Sequence, residues 1–174
     1  MAEWRKEGLI GVLIDILYAI DTPYEHKLFY SFQKDDNEQL PRPDFKVLDV
    51  KNPVKTRWNS FLEAFERAVD LQGPINAWVE YHIDKWNKEA AKQRAIKAKT
   101  KQSPRYVNCG GLTSNDWDVI RHYIKFLTPL REATKKLEAR GKAGCHGAIW
   151  AVIPTFDWLI RKFQEALVEV EEVT

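Results

Sequence analysis

Apolar residues recur every three or four positions along most of the chain, which is the period of an amphipathic helix. The first such stretch runs from Trp4 to Ile20 and places Asp15 on the face opposite its apolar side chains. A second stretch begins with Thr22 as the N-cap, Pro23 at the first helical position and Glu25 three residues after the cap. The pattern therefore predicts a mainly α-helical fold.

The middle of the chain carries two interruptions of the helical pattern. Residues 34–44 are polar and contain two prolines, which predicts a loop. The alternation of Lys46–Val50 is typical of a short strand, and no other stretch predicts one. Helices follow from about Asn59 to Leu71 and from Pro74 onward, the latter losing its apolar face near Ala90. We therefore expect a multi-helix bundle with at most one short strand.

The last third predicts two antiparallel helices. The first begins with a capping box, in which Thr113 is the cap and Asp116 completes the box. The segment RGKAGCHG joins the two helices, and we expect Pro129 and Pro154 to kink them, because proline lacks the N–H that a helix requires. The apolar stripe of the last helix is predicted to pack on its neighbour and consists of Ile149, Ile153, Phe156, Ile160, Phe163, Leu167 and Val170.

Composition limits the classes of function. The chain has 174 residues with 27 Lys and Arg against 25 Asp and Glu, so any polyanion binding must come from a local patch. Its two cysteines, Cys109 and Cys145, form no disulfide framework, and the charged start at Arg5 and Lys6 is not typical of a secretory signal. The most apolar stretch is shorter than the roughly 20 residues that a bilayer requires. We therefore expect a nuclear or cytoplasmic protein without a membrane partner.

Patterns typical of catalysis or metal binding are missing from the sequence. It contains no Walker loop, nucleophile elbow or dinucleotide fingerprint. The four histidines lack the spacing of metal ligands, and the acidic cluster of Asp35, Asp36 and Glu38 is typical of a solvated loop. We therefore predict no catalytic residues, no metal site and no cofactor.

A basic segment is the clearest candidate for binding. Its eight cations are Lys85, Lys88, Lys92, Arg94, Lys97, Lys99, Lys101 and Arg105. Such density suits phosphate binding, because each contact releases condensed counterions from a nucleic acid. It also suits a solvated helix end that continues into a linker over residues 88–111. The residues alone leave both interpretations open.

The pair Arg57–Trp58 raises a second question. A tryptophan at the start of a helix serves either as a core anchor or as a platform on which a nucleic-acid base stacks. Arg57 and Lys55 beside it favour contact with phosphate, whereas the composition of the chain favours the core. We predict a core position for Trp58.

Four segments resemble hAT-superfamily DNA transposases. TRWNSFLEAFERAVDLQGPI is similar to the Thr-Arg-Trp-Asn-Ser helix of that family, and WRKEGLIGVLIDILYAIDTPYEHKLFYSF resembles the preceding stretch of its fungal, Restless-like members. LTSNDWDVIRHYIKFLTPLREATKKLEARG and HGAIWAVIPTFDWLIRKFQEAL resemble the helices that follow. The segments come in the same order, and the resemblance covers almost the whole chain, being weakest at residues 34–50 and 88–108.

The resemblance implies a piece of an RNase H-like core with a helical insertion. Residues 1–72 would belong to the core, and residues 73–174 to the insertion, with a basic linker at 88–111. Members of the family cut and join DNA with two aspartates and a glutamate that bind divalent metal. Arg57 and Trp58 match the family pattern, but no residue matches a catalytic acid, and the Cys-x-x-His motif has no counterpart. We therefore expect a chain that begins after the aspartates, ends before the glutamate and has no enzymatic activity.

These considerations define two functional hypotheses. The first is a truncated or domesticated transposase fragment that binds DNA non-specifically through Arg57, Trp58 and the eight cations of the basic segment. The alternative is a helical protein–protein interaction module without a nucleic-acid role. Because the sheet of the parent core is not encoded, we expect residues 4–33 and 59–71 to expose apolar surface, and the partners to include a second copy or the full-length transposase.

Overall fold

The computed structural model describes residues 8–54, 57–95, 102–138 and 149–171. All regular secondary structure in these ranges is helical, which confirms the predicted mainly α-helical bundle. The helices are α1 (Leu9–Ile20), α2 (Pro23–Gln39), α3 (Trp58–Asp70), α4 (Gln72–Ala95), α5 (Arg105–Asn108), α6 (Ser114–Glu138) and α7 (Ile149–Glu171). Over these ranges no helix combines the length and the apolar character that a bilayer span requires.

The chain divides into two compact units, Met1–Ile120 and Arg121–Thr174. The predicted division after residue 72 falls inside the first unit, between α3 and α4, which contact each other. The short α5, which lies within the predicted linker, contacts both α1 and α4. Residues 88–95 of the predicted linker form the end of α4.

The core of the first unit is built mainly on the amphipathic face of α1. Leu13, Ile16, Leu17 and Ile20 have no exposed surface, and α3 and α4 add buried side chains opposite them. Burial of a large apolar side chain contributes about 1.5–3 kcal/mol. The expectation that residues 4–33 and 59–71 would expose apolar surface was therefore wrong for their described part, because these helices bury their apolar faces within the first unit. The further members of this core are Ile10, Val12, Phe29, Val50, Leu62, Ala64, Phe65, Ala68, Leu71, Ile75, Trp78, Val79, Tyr106, Trp117 and Ile120.

The predicted strand at Lys46–Val50 does not form. Leu48 and Val50 turn inward and Val47 and Asp49 turn outward, as the alternation predicts, but no second strand is present among the described residues. The buried side-chain amide of Gln33 replaces it. Its Nε2 donates to the Leu48 carbonyl at 2.8 Å, and its Oε1 accepts from the Leu48 N–H at 2.8 Å. One glutamine on α2 thus satisfies both backbone groups, as a neighbouring strand would.

The predicted loop at residues 34–44 begins later than expected, because α2 continues to Gln39. Residues 34–39 contain no proline, and the helix packs along α4. At this crossing the Asp36 carboxylate lies where a β-carbon on Gly73 would be, so a larger residue there would displace that carboxylate. The Asp36 carboxylate also accepts from Arg42 Nη2 at 2.5 Å. The acidic cluster therefore lies at the C-terminal end of α2, and its Asp36 pairs with Arg42 in the loop that follows.

The two predicted capping boxes have different outcomes. At the start of α6, Asp116 N–H donates to Thr113 Oγ1 at 3.2 Å, and Thr113 N–H donates to the Asp116 carboxylate at 2.8 Å, which confirms the box. At the start of α2, Thr22 is the N-cap and Pro23 the first helical residue, but the Thr22 side chain makes no capping hydrogen bond. The carboxylate of Glu25 points instead toward α4, so the box predicted there was wrong.

The turn before α6 requires glycine. Gly110 and Gly111 have φ angles of +74° and +86°, which disfavour any residue with a β-carbon. A β-carbon on Gly111 would also lie 2.9 Å from Val79 Cγ1. The NCGG sequence therefore marks a tight, packed turn.

The second unit is an antiparallel pair formed by the end of α6 and α7. The rings of Phe126 and Phe163 lie 4.8 Å apart, and Lys136 Nζ lies 4.0 Å from the ring centre of Trp158. These contacts run in opposite directions along the two helices, as predicted. Both helices continue through their prolines, at positions 129 and 154. The connecting segment RGKAGCHG lies outside the described residues.

The predicted stripe of α7 faces its neighbour in part. Its member Phe163 contacts Phe126 of α6, as predicted, and Trp158 beside the stripe contacts Lys136. Ile153, Phe156 and Ile160 are instead 73%, 52% and 53% exposed. An apolar helix face of this width needs two packing partners, and the described part of the second unit supplies one, α6. The burial predicted for Ile153, Phe156 and Ile160 was therefore wrong, and the side chains of Ile149, Leu167 and Val170 lie outside the description.

Candidate nucleic-acid interface

The Arg57–Trp58 pair stands where an extended segment turns into α3. Arg57 has extended backbone angles and caps the helix, and Trp58 is its first residue. Ser60 fixes this turn: its hydroxyl accepts from the Val54 N–H at 2.7 Å and lies 2.6 Å from the Arg57 carbonyl, to which it donates. The local backbone is therefore held firmly beneath two surface side chains.

Trp58 is 39% exposed, and Arg57 is exposed as well. The prediction that Trp58 is a core residue was therefore wrong. The deeply buried indoles of the first unit belong to Trp78 and Trp117, each with no exposed surface. A tryptophan in the first turn of an amphipathic helix does not have to share the buried stripe, and here Leu62 and Phe65 carry that stripe.

Three lysines of the basic segment form a row on α4. Lys85, Lys88 and Lys92 are spaced by three and four residues, which places them on one face of the helix. All three side chains are exposed, and none forms an ion pair with any residue that the structure describes. We call these residues the lysine ridge.

The lysine ridge borders an open groove of about 320 Å³. Its lining consists of Tyr81, Asp84, Lys85, Lys88, Glu89 and Lys92. Asp84 and Glu89 lie on either side of the ridge, so the groove carries three positive and two negative charges. Between Asp84 and Lys92 no side chain is buried, which means that this half of α4 projects from the core into solvent.

Tyr81 stands one turn before the ridge and is 41% exposed. Its ring lies 5.9 Å from that of Phe32, at 59°, and 5.3 Å from that of His82, at 84°. These two neighbours hold the ring from the protein side. The spacing of Tyr81 and Lys85 indicates their shared face in the sequence, but the exposure of Tyr81 required the tertiary structure.

Arg105 lies apart from the other cations of the basic segment. Its guanidinium donates to the Asp15 carboxylate from Nε at 2.9 Å and from Nη2 at 2.6 Å, and Nη2 also donates to the Gly11 carbonyl at 3.0 Å. This two-nitrogen contact joins α5 to α1. It pairs with Asp15 the positive charge that sequence reasoning had assigned to DNA binding. Arg105 is therefore a structural residue in this fold.

The remaining cations of the basic segment belong to the end of α4 and to the segment after it. Arg94 lies in the last turn of α4, but its side chain is outside the description. Lys97, Lys99 and Lys101 lie outside the described residues. The structure thus places three of the eight predicted cations on one exposed face.

A partly buried polar cluster, which sequence reasoning missed, anchors α4 on α2. The Glu25 carboxylate accepts from Trp78 Nε1 at 2.9 Å and lies 2.9 Å from His82 Nε2. The rings of Trp78 and His82 lie 4.1 Å apart, and the ring of Tyr106 lies 5.6 Å from that of Trp78. Burial, and then the negative charges of Glu25 and Asp15, raise the pKa of the Tyr106 phenol above its ordinary value. The spacing of Glu25 from Thr22 fits a capping box. Nothing in the sequence around Glu25 indicates that its partners are instead Trp78 and His82.

Metal chemistry finds no support in the described part of the chain. No group of three or more His, Cys, Asp or Glu side chains there is placed to hold an ion. His26 lies 3.1 Å from Asp21 and stacks on Tyr30, so its surroundings are those of a packed surface residue. Cys145 and His146 lie outside the described residues.

Comparison of the chain with protein-family models, with curated proteins and with solved structures found no match. The functional argument therefore rests on the lysine ridge, the exposed face of α7 and the resemblance of the four sequence segments.

Proposed function

We propose that the chain is a truncated or domesticated fragment of an hAT-type transposase, catalytically inactive alone, that binds nucleic acid non-specifically. The lysine ridge is the observation that carries the binding. Three ammonium groups on one exposed helix face, none of them paired with a described residue, suit the phosphates of a nucleic acid, because each contact releases counterions. The absence of activity follows from the resemblance, in which no catalytic carboxylate of the family has a counterpart.

Lysine contacts to phosphate favour binding that is indifferent to sequence. Lysine ammonium groups on flexible stems act as point charges and read no base edges when they contact the backbone. The two carboxylates in the groove keep its net charge low, so we expect weak binding that is strongest at low ionic strength. The exposed Arg57–Trp58 pair at the start of α3 is a second element that could contact nucleic acid in this proposal.

Replacing Lys85, Lys88 and Lys92 together by glutamine should weaken binding to all sequences alike. The slope of log affinity against log salt on duplex DNA should flatten by about 2–3, because each lost phosphate contact removes about 0.9 from it. Fluorescence anisotropy with labelled duplexes of two unrelated sequences, over a range of salt concentrations, measures both effects. DNA recovered from reactions with Mg²⁺ or Mn²⁺ should remain uncut.

The matched control replaces Lys27, Lys34 and Lys46 by glutamine. These lysines are also exposed, and their replacement changes the net charge equally. If both triple variants bind alike, the attraction comes from overall charge and the ridge is not an interface. Binding that discriminates strongly between the two sequences would contradict the proposal in another way.

The exposed face of α7 favours a second function, association of two copies of the chain. Val152, Ile153, Phe156 and Ile160 leave on the order of 400 Å² of apolar surface open, since one large aromatic side chain alone can bury about 150–250 Å². Two such faces together would supply the apolar share of an interface of about 1,200–2,000 Å², the standard size for a stable complex. We therefore propose a second copy as the occupant of this face.

Sedimentation equilibrium tests the pairing. The unaltered chain should associate reversibly, and Ile153→Lys with Phe156→Lys should give a monomer without loss of helix content, because both side chains are exposed. Tyr24→Lys with Leu40→Lys is the control, since those side chains are 70% and 71% exposed in the first unit. A monomeric unaltered chain at high concentration, or a dimer that survives the α7 changes, would contradict the pairing.

A further inference from the structure

Tyr81 continues the lysine ridge toward the core. It precedes Lys85, Lys88 and Lys92 by four, seven and eleven residues, so an aromatic ring and three ammonium groups lie in one row along α4. The row places a stacking surface at one end and phosphate-binding groups after it. Proteins that bind single strands combine these two features.

The ring of Tyr81 is held in place before any ligand arrives. Phe32 and His82 contact it from two sides, and His82 is itself fixed by Glu25 at 2.9 Å and by the ring of Trp78 at 4.1 Å. Yet 41% of Tyr81 remains exposed. A ring already fixed by its neighbours loses little conformational freedom when a planar group stacks on it.

The groove beside Tyr81 is a shallow, open trough, because all of its lining residues lie on α4. Asp84 and Glu89 flank it and repel phosphate, but neither is paired with a ridge lysine, so the ammonium groups remain available. This balance favours a ligand that gains from stacking as well as from charge.

We propose that Tyr81 stacks on an unpaired base while the lysine ridge contacts the adjoining phosphates, which makes single-stranded nucleic acid the preferred ligand. The inference rests on the proposed function of the ridge. Bases in a duplex are already stacked on one another and cannot use the ring of Tyr81. A single strand offers both its bases and its phosphates to the same face of α4.

Tyr81→Leu is the decisive variant. It should lower affinity for a single strand about 5- to 160-fold, the equivalent of about 1–3 kcal/mol for one stacked base, and leave duplex affinity unchanged. Tyr81→Phe keeps the ring and should restore most of the single-strand affinity. Anisotropy with oligodeoxythymidine, oligouridine and a duplex of equal length measures the three affinities, and the first two show whether the sugar matters.

Controls separate this inference from the function on which it rests. Tyr24→Leu removes another exposed tyrosine and should leave all affinities unchanged. If replacement of the ridge lysines has no effect on any ligand, the proposed function fails. Two outcomes would overturn the stacking inference alone while replacement of the ridge lysines still weakens binding. In the first, Tyr81→Leu weakens binding of the duplex and of the single strand equally. In the second, it weakens binding of neither. Tyr81→Phe decides the matter if Tyr81→Leu unfolds, because loss of single-strand affinity in the folded phenylalanine variant would also overturn it.

Discussion

Replacing Trp78 by alanine should lower the free energy of unfolding of the first unit by about 3–5 kcal/mol, the usual effect of truncating a fully buried aromatic side chain. Trp78 has no exposed surface, and its ring contacts those of His82 and Tyr106. Its loss also removes the indole N–H that donates a hydrogen bond to the Glu25 carboxylate. Urea denaturation followed by far-UV circular dichroism measures the change.

Trp58→Ala is the matched comparison, because it removes the same atoms from a site that is 39% exposed. We expect a loss of about 1–2 kcal/mol, since part of the side chain already contacts water. Equal losses for the two variants would contradict the assignment of Trp78 as the anchor and of Trp58 as a surface residue. The pair thus tests the position in the first unit where the sequence alone predicted burial and the structure shows an exposed side chain.

Replacing Glu25 by leucine should lower the free energy of unfolding by about 2–4 kcal/mol. The change leaves two partly or fully buried donors, on Trp78 and His82, without their acceptor, and each unsatisfied group is worth about 1–3 kcal/mol. Glu25→Gln keeps an acceptor oxygen in place and should lose less than half as much. Denaturation of both variants at neutral pH measures the difference, and equal losses would contradict the hydrogen-bonding role.

The Glu25→Gln variant can also be tested by measuring stability at alkaline pH. Because the folded chain raises the pKa of Tyr106, the unfolded chain loses that proton first, and stability falls as pH rises above the ordinary value of 10.0. Glu25→Gln removes one of the negative charges that raise this pKa. We therefore expect a smaller loss of stability above pH 10.0 in Glu25→Gln than in the unaltered chain.

Local chemistry made several elements predictable. The capping box of Thr113 and Asp116 involves residues three apart, so no distant group is needed to form it. Pro23 at the start of α2 and the glycines before α6 act through their own backbone preferences. The apolar period of α1 likewise reports its buried face. In the candidate interface, the spacing of Lys85, Lys88 and Lys92 was already sufficient to place them on one face.

Long-range contacts decided what the periodicity left open. Leu48 lies 15 positions from the amide of Gln33, and that side chain replaces the strand that the alternation alone would require. Arg105 lies 90 positions from Asp15, and their ion pair joins α5 to α1. Glu25 lies 53 positions from Trp78, and its carboxylate accepts a hydrogen bond from that indole and does not complete the capping box. None of these pairings has a signature in the sequence around either residue.

The sequence by itself determined the helical class, the starts of α2 and α6 and the ridge of lysines, because each depends on residues within two turns of one another. The tertiary structure decided which apolar faces are covered. It placed Trp58 at the surface and Trp78 in the core, and it left Ile153, Phe156 and Ile160 exposed. A stripe in the sequence shows which side of a helix is apolar, but burial depends on whether another element lies against that side, and in the second unit α6 covers the adjoining face instead.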